Sequence, residues 1–149
     1  MSVFRNLGLL SVVFILATLA IPVKAEKANM SPEHLRKTAT HVITGNVIAV
    51  YQKQEATPYW KYTRYVAEVR VVECEKGDAI KKGDLVYVRY WKRRYVGWGK
   101  VPTSTLGHRG LPSEGEFSRI YLARNAYDGF DPENNDGGFN VIGANGFEK

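Results

Sequence analysis

The sequence predicts a small, mainly β domain: an antiparallel barrel with one short helix at its N-terminal side. Three observations point there. From His41 onward the chain is dominated by short runs of β-branched and aromatic residues. Glycine-containing turns such as Lys76-Gly77-Asp78 and Lys82-Gly83-Asp84 separate those runs. Four or five such runs fall within about 110 residues, and closing them into a barrel hides the sheet edges that a flat sheet would leave open. A flat sandwich is the alternative reading of the same pattern.

The chain begins with Arg5 and then an uncharged apolar run, Leu9 to Ile21, ended by Val23-Lys24-Ala25. A basic start, a short apolar core and small residues at the cleavage positions are the layout of a secretory signal peptide, here cut after Ala25. The run is shorter than the roughly 20 residues a membrane-spanning helix needs. Residues 1–25 are therefore read as a signal peptide and residues 26–149 as a single β-barrel domain, exported to a periplasm or beyond the cell, with no transmembrane segment left after cleavage. Export sets aside cytoplasmic nucleotide chemistry, and no cofactor is expected. Removing Arg5 and Lys24 lowers the net charge from +6 to +4, a modest value that mainly serves solubility. A lone cysteine, Cys74, makes no internal bridge, so stability must come from the core. Cys74 itself reads as a small apolar residue near a strand end.

The elements follow in order. Ser31-Pro32-Glu33 has the cap, the first-turn proline and the acid of a helix start, and a short helix runs to about Ala39. Val42 to Tyr51 is the first strand, with Gly45-Asn46 as a bulge or bend. Gln52 to Lys61 is read as a loop. In Tyr62 to Glu75, residues Thr63, Tyr65, Ala67, Val69 and Val71 alternate with Arg64, Glu68 and Arg70, the period of a half-buried strand. Leu85 to Trp91 is a third strand, Tyr95 to Glu116 a long Gly/Pro-rich excursion, and Phe117 to Arg124 a fourth strand. Asp128 to Gly138 is a turn-rich loop before a last short strand, Phe139 to Ile142.

A strand ending in Glu75-Lys76-Gly77, Lys82-Gly83-Asp84 opening Leu85-Val86-Tyr87-Val88, and Glu114-Gly115-Glu116 ahead of Ile120-Tyr121-Leu122 resemble one known pattern. Over Ala39 to Gly146 the chain resembles the netrin-module and metalloproteinase-inhibitor-like OB barrels, and more closely secreted bacterial proteins of that look. The resemblance implies an OB-like barrel. It implies no inhibitory residue, because the inhibitor family begins its mature chain with a zinc-chelating cysteine. Here that position is Glu26, and the family's disulfides are missing.

The stretch best suited to chemistry is Arg89 to Lys100, RYWKRRYVGWGK. On a strand, Arg89, Trp91, Arg93 and Tyr95 share one face while Tyr90, Lys92 and Arg94 share the other. Guanidinium groups beside flat rings grip polyanions and stack on sugars or bases. The candidate ligand-binding residues are Arg89, Trp91, Arg93, Arg94, Trp98 and Lys100. The expected partners are an acidic glycan, an envelope polymer or an acidic protein, with nucleic acid the less natural ligand for an exported chain. The plainer reading is that Tyr90 and Trp91 fill the barrel while the cations blunt an edge.

Asp128, Asp131, Glu133 and Asp136 are oxygen ligands of the kind calcium takes, but they miss the EF-hand spacing, and turn formation explains each of them. His34, His41 and His108 are scattered, and no nucleophile-elbow motif accompanies Ser104 or Ser113. The leading expectation is thus a non-catalytic binding module. One alternative is an envelope structural or interaction domain. In it the basic segment 85–124 would meet the acidic tail 125–149 of a neighbour. The other is a small hydrolase or protease inhibitor using residues such as His108 or Glu116.

Overall fold

The structure, a computed structural model, describes residues 29–102, 106–124 and 138–149. Residues 1–25, read above as a signal peptide, lie outside this set, as do Asp128, Asp131, Glu133 and Asp136.

The chain opens with α1, Pro32–Thr38, capped as its sequence demands: the His34 amide donates to Ser31 Oγ at 3.2 Å. A seven-residue helix cannot hold itself together. It persists because Leu35, fully buried, packs with Val42, Tyr121, Ala123 and Ile142 on the outside of the barrel. Removing one such leucine from water contributes about 2 kcal/mol.

Six strands follow: β1 His41–Ala56, β2 Trp60–Lys76, β3 Leu85–Tyr95, β4 Phe117–Arg124, β5 Phe139–Val141 and β6 Phe147–Glu148. The order β1-β2-β3-β5-β4 closes because β4 pairs back onto β1, from His41↔Leu122 to Asn46↔Phe117. The result is the small, mainly β, OB-like barrel that the sequence predicts; that pattern allows a closed or a partly closed barrel, and here it is closed. The short β6 adds to the edge of β4 beyond β5. One pairing departs from an all-antiparallel barrel: β3 and β5 run parallel, Val88↔Phe139 and Arg89↔Asn140. Geometry requires this, since an odd number of strands cannot close with every neighbour reversed.

The core is the inward set of the alternating strands. Thr63, Tyr65, Ala67, Val69 and Val71 of β2 are buried, as are Val86, Val88 and Tyr90 of β3. Ile43, Val47, Ile120, Leu122, Val141 and Phe147 complete it. The pairing of β1 with β2 slips at Val42/Ile43, Thr44/Gly45 and Val47/Ala49, which bends β1 enough to serve two neighbours. Gly45 permits this: a Cβ there would stand 2.5 Å from the Arg70 carbonyl oxygen. Cys74 is free and partly buried against the core, and its thiol donates to the Lys76 carbonyl at 3.2 Å.

The expected loop Gln52 to Lys61 is instead a hairpin, with β1 running to Ala56, β2 starting at Trp60 and only Thr57–Tyr59 between them. The turn is closed by Thr57, whose amide donates to the Trp60 carbonyl at 2.8 Å and whose Oγ1 accepts the Trp60 amide at 3.1 Å. Likewise β3 continues past Trp91 to Tyr95. Both extensions lack an apolar alternation because this part of the sheet projects above the barrel mouth. There neither face is packed into the core, so polar residues are tolerated on both. Part of the Tyr95 to Glu116 excursion pairs as well: Arg93 N–H donates to Leu106 O at 2.8 Å and His108 N–H to Trp91 O at 2.9 Å, covering the free edge of β3.

Candidate functional site

The register of β2 against β3 builds the site. Tyr62 stands opposite Arg93, Arg64 opposite Trp91, Val66 opposite Arg89 and Trp60 opposite Tyr95. All eight side chains sit on the outward set of their strands. Each cation therefore has a ring or an aliphatic group across from it and rings two residues away along the strand. From Arg89 to Tyr95 this surface is about 20 Å long. The Arg93 guanidinium lies over the Trp60 ring, 4.2 Å from its centroid, and Trp60 meets Tyr95 edge to face at 5.2 Å. Such cation–ring contacts contribute about 0.5–1 kcal/mol each when exposed.

The upper end of β1 adds a third column. Lys53 stands opposite Arg64 and Glu55 opposite Tyr62. Glu55 bonds Arg64 at 3.4 Å and Lys53 at 3.5 Å, so this carboxylate is shared between two cations. Lower down, Tyr51 donates its hydroxyl to Glu68 at 3.3 Å, and the Glu68 charge raises the phenol's pKa above its usual 10.

The six residues singled out in the sequence fall in three places. Arg89, Trp91 and Arg93 share the outer β2–β3 face, half-buried among their neighbours. Arg94 is exposed on the opposite face, across from Lys61. Trp98 and Lys100 lie in the loop after β3, and Trp98 is 99% exposed. Tyr90 and Trp91 part company: Tyr90 is fully buried, stacked on Tyr65 at 5.0 Å, whereas Trp91 faces outward. Burial, helped by Tyr65, raises the Tyr90 phenol far above its ordinary range.

Sequence reading missed Trp60, Tyr62 and Lys53 as partners of this face, and treated Arg64 only as a solvent-side residue. The signal for Tyr62 and Arg64 was present in the β2 alternation. Their pairing with Arg93 and Trp91 depends on where the turn sits, and a loop over Gln52 to Lys61 conceals that.

The groups considered for hydrolysis are engaged in holding the fold. His108 is buried; its Nε2 donates to the Val141 carbonyl at 2.9 Å and its Nδ1 accepts the Trp91 amide at 3.1 Å. Glu116 accepts from the Ser113 amide at 2.8 Å and from Lys149 at 2.9 Å, and these bonds lower its pKa. Glu114 accepts from the Val50 amide at 3.1 Å. No group of three or more His, Cys, Asp or Glu suited to a metal occurs among the described residues.

No family model, curated protein or solved structure matches this chain.

Proposed function

We propose that the chain is an exported, non-catalytic binding module that takes an acidic glycan or another polyanion on the outer face of β2 and β3. One observation carries this reading: cross-strand register sets Arg93 against Tyr62 and Trp91 against Arg64, and stacks Arg93 on Trp60. Rings supply flat surface for sugar faces, and guanidinium forks bind carboxylate or sulfate in pairs of hydrogen bonds. The strands hold both on a rigid sheet, so little ordering is lost on binding.

The two-faced ribbon supplies the test. Binding to a panel of acidic glycans and single-stranded DNA is measured at two salt concentrations for the protein, for Arg93→Glu and for Arg94→Glu. Affinity that falls with salt, and falls at least about tenfold in Arg93→Glu, is expected. Arg94→Glu, a charge reversal on the opposite face, should lose markedly less. Binding unaltered by Arg93→Glu would overturn the reading.

A further inference from the structure

The β1–β2 turn and the loop after β3 form a single apex. Val96 N–H donates to the Tyr59 carbonyl at 2.8 Å, and Trp60 pairs with Tyr95 just below. Among the described residues of these two loops, Tyr59 at 62%, Val96 at 44%, Trp98 at 99% and Val101 at 54% stand exposed. A tryptophan with nearly all its surface in water is a poor use of the largest apolar side chain, unless something covers it.

Charge narrows what that something is. Segments 56–67 and 89–102 contain seven Lys and Arg residues and no Asp or Glu. Lys61 and Arg94 flank the apex directly, and Lys100 is exposed between Trp98 and Val101. An apolar crown above a basic collar matches an anionic bilayer, with apolar groups entering the headgroup boundary and cations remaining among the phosphates. Tryptophan and tyrosine are the side chains that settle at that boundary.

The backbone is also prepared. Inserting a loop into a low-dielectric layer is costly when its N–H and C=O groups lack partners. Here Thr57 and Trp60 satisfy each other across the turn, the Tyr59 carbonyl takes the Val96 amide, and the Tyr95 hydroxyl donates to the Trp98 carbonyl at 3.0 Å.

We infer that the apex of Tyr59, Val96, Trp98 and Val101 seats in the surface of an anionic phospholipid bilayer, with Lys61, Arg94 and Lys100 against its headgroups. This surface is distinct from the β2–β3 face, and a protein anchored through it would present that face along the membrane.

The experiment is co-sedimentation of the protein and of Trp98→Ala with phosphatidylglycerol-containing vesicles and with pure phosphatidylcholine vesicles. Tryptophan emission is followed in parallel. Expected are binding to the anionic vesicles alone, a blue shift on binding, and loss of that shift with at least about tenfold weaker binding in Trp98→Ala. Quenching by bromine-labelled lipid in the unaltered protein gives a second reading that needs no variant. The inference is overturned if Trp98→Ala binds as the parent does, if neutral vesicles bind equally well, or if no vesicle binds. It is also overturned if a soluble sulfated glycan produces a blue shift in the unaltered protein that Trp98→Ala loses, whereas a shift that Trp98→Ala keeps belongs to Trp60 and Trp91 of the β2–β3 face. Glycan binding by Trp98→Ala is measured alongside; its retention shows the β2–β3 face intact, so either proposal can fail without the other.

Discussion

The strands β1, β2 and β3 run through the lower barrel, where β4 and β5 close it, and on into a ribbon above it, and the two regions obey different rules. In the barrel the inward positions of β2 and β3 are Ala67, Val69, Val71, Val86 and Val88, all buried. Higher up, the same inward rows continue past Tyr65 and Thr63 to Lys61 on β2, past Tyr90 to Lys92 and Arg94 on β3, and to Gln52 and Gln54 on β1. The alternation is unbroken while the chemistry reverses. Tyr65 and Tyr90 sit at the changeover, stacked within 6° of parallel, with Lys92 Nζ 6.0 Å above the Tyr65 ring. Packing thus dictates the lower rows and does not constrain the upper ones.

Substitution at that changeover separates the two regions most sharply. Tyr90→Ala should lower unfolding free energy by about 4 kcal/mol in denaturant titration, since it empties a site enclosed by Tyr65, Phe147 and His108. A loss below about 1 kcal/mol would mean that the core does not reach this height. His108→Ala comes next, at about 2 kcal/mol, because it strips a partner from the Val141 carbonyl and the Trp91 amide. It should also loosen the segment pairing with β3, visible as faster hydrogen exchange at the Arg93 amide, which is bonded to Leu106.

A smaller effect comes from His41, at the start of β1 and edge to face with Phe139. Burial lowers its pKa below 6.5, Asp78 opposes this and Arg124 reinforces it. A histidine harder to protonate when folded favours unfolding as pH falls. Its contribution is complete above about pH 6.5 and is lost as pH drops toward the folded value. The melting temperature should fall between about pH 7 and pH 5, and fall less in His41→Gln. Glu75 is separable from this. The Arg119 hydrogen bond, then that of Arg36, holds its pKa below 4.5, so its contribution is present above that pH and lost only in stronger acid. The smallest stability effect belongs to the ribbon: Arg93→Glu should change stability by less than about 0.5 kcal/mol while it weakens polyanion binding. A large destabilisation there would erase the distinction between the two regions.

This division also explains what the sequence made legible. The strands of the lower barrel announce themselves through Thr63 to Val71 and Leu85 to Trp91, where burial on one face forces a period of two. The helix does so through Ser31 and Pro32. The hairpin above the barrel leaves no such mark, because Gln52-Lys53-Gln54-Glu55 faces water on both sides and any polar order will serve. The parallel β3–β5 pair is not written locally at all; it follows from closing five strands. The site was half visible. The sharing of a face by Arg89, Trp91 and Arg93 follows from alternation once they are placed on a strand. Their partners Trp60, Tyr62 and Arg64 come from register, and the exposure of Trp98 from a loop whose course local pattern does not specify.

Barrel closure carries a consequence for the order of events in folding. The seam between β1 and β4 joins groups far apart in the chain, with Thr40 and Leu122 bonded across 82 residues. The β1–β2 hairpin can form from local contacts, and β3 can add to it, long before that seam exists. Until residue 124 is present, β1 has an open edge and Val42, Ile43 and Leu35 lack the strand that covers them. A chain made from its N-terminus therefore passes through an incomplete barrel with an adhesive rim until β4 docks.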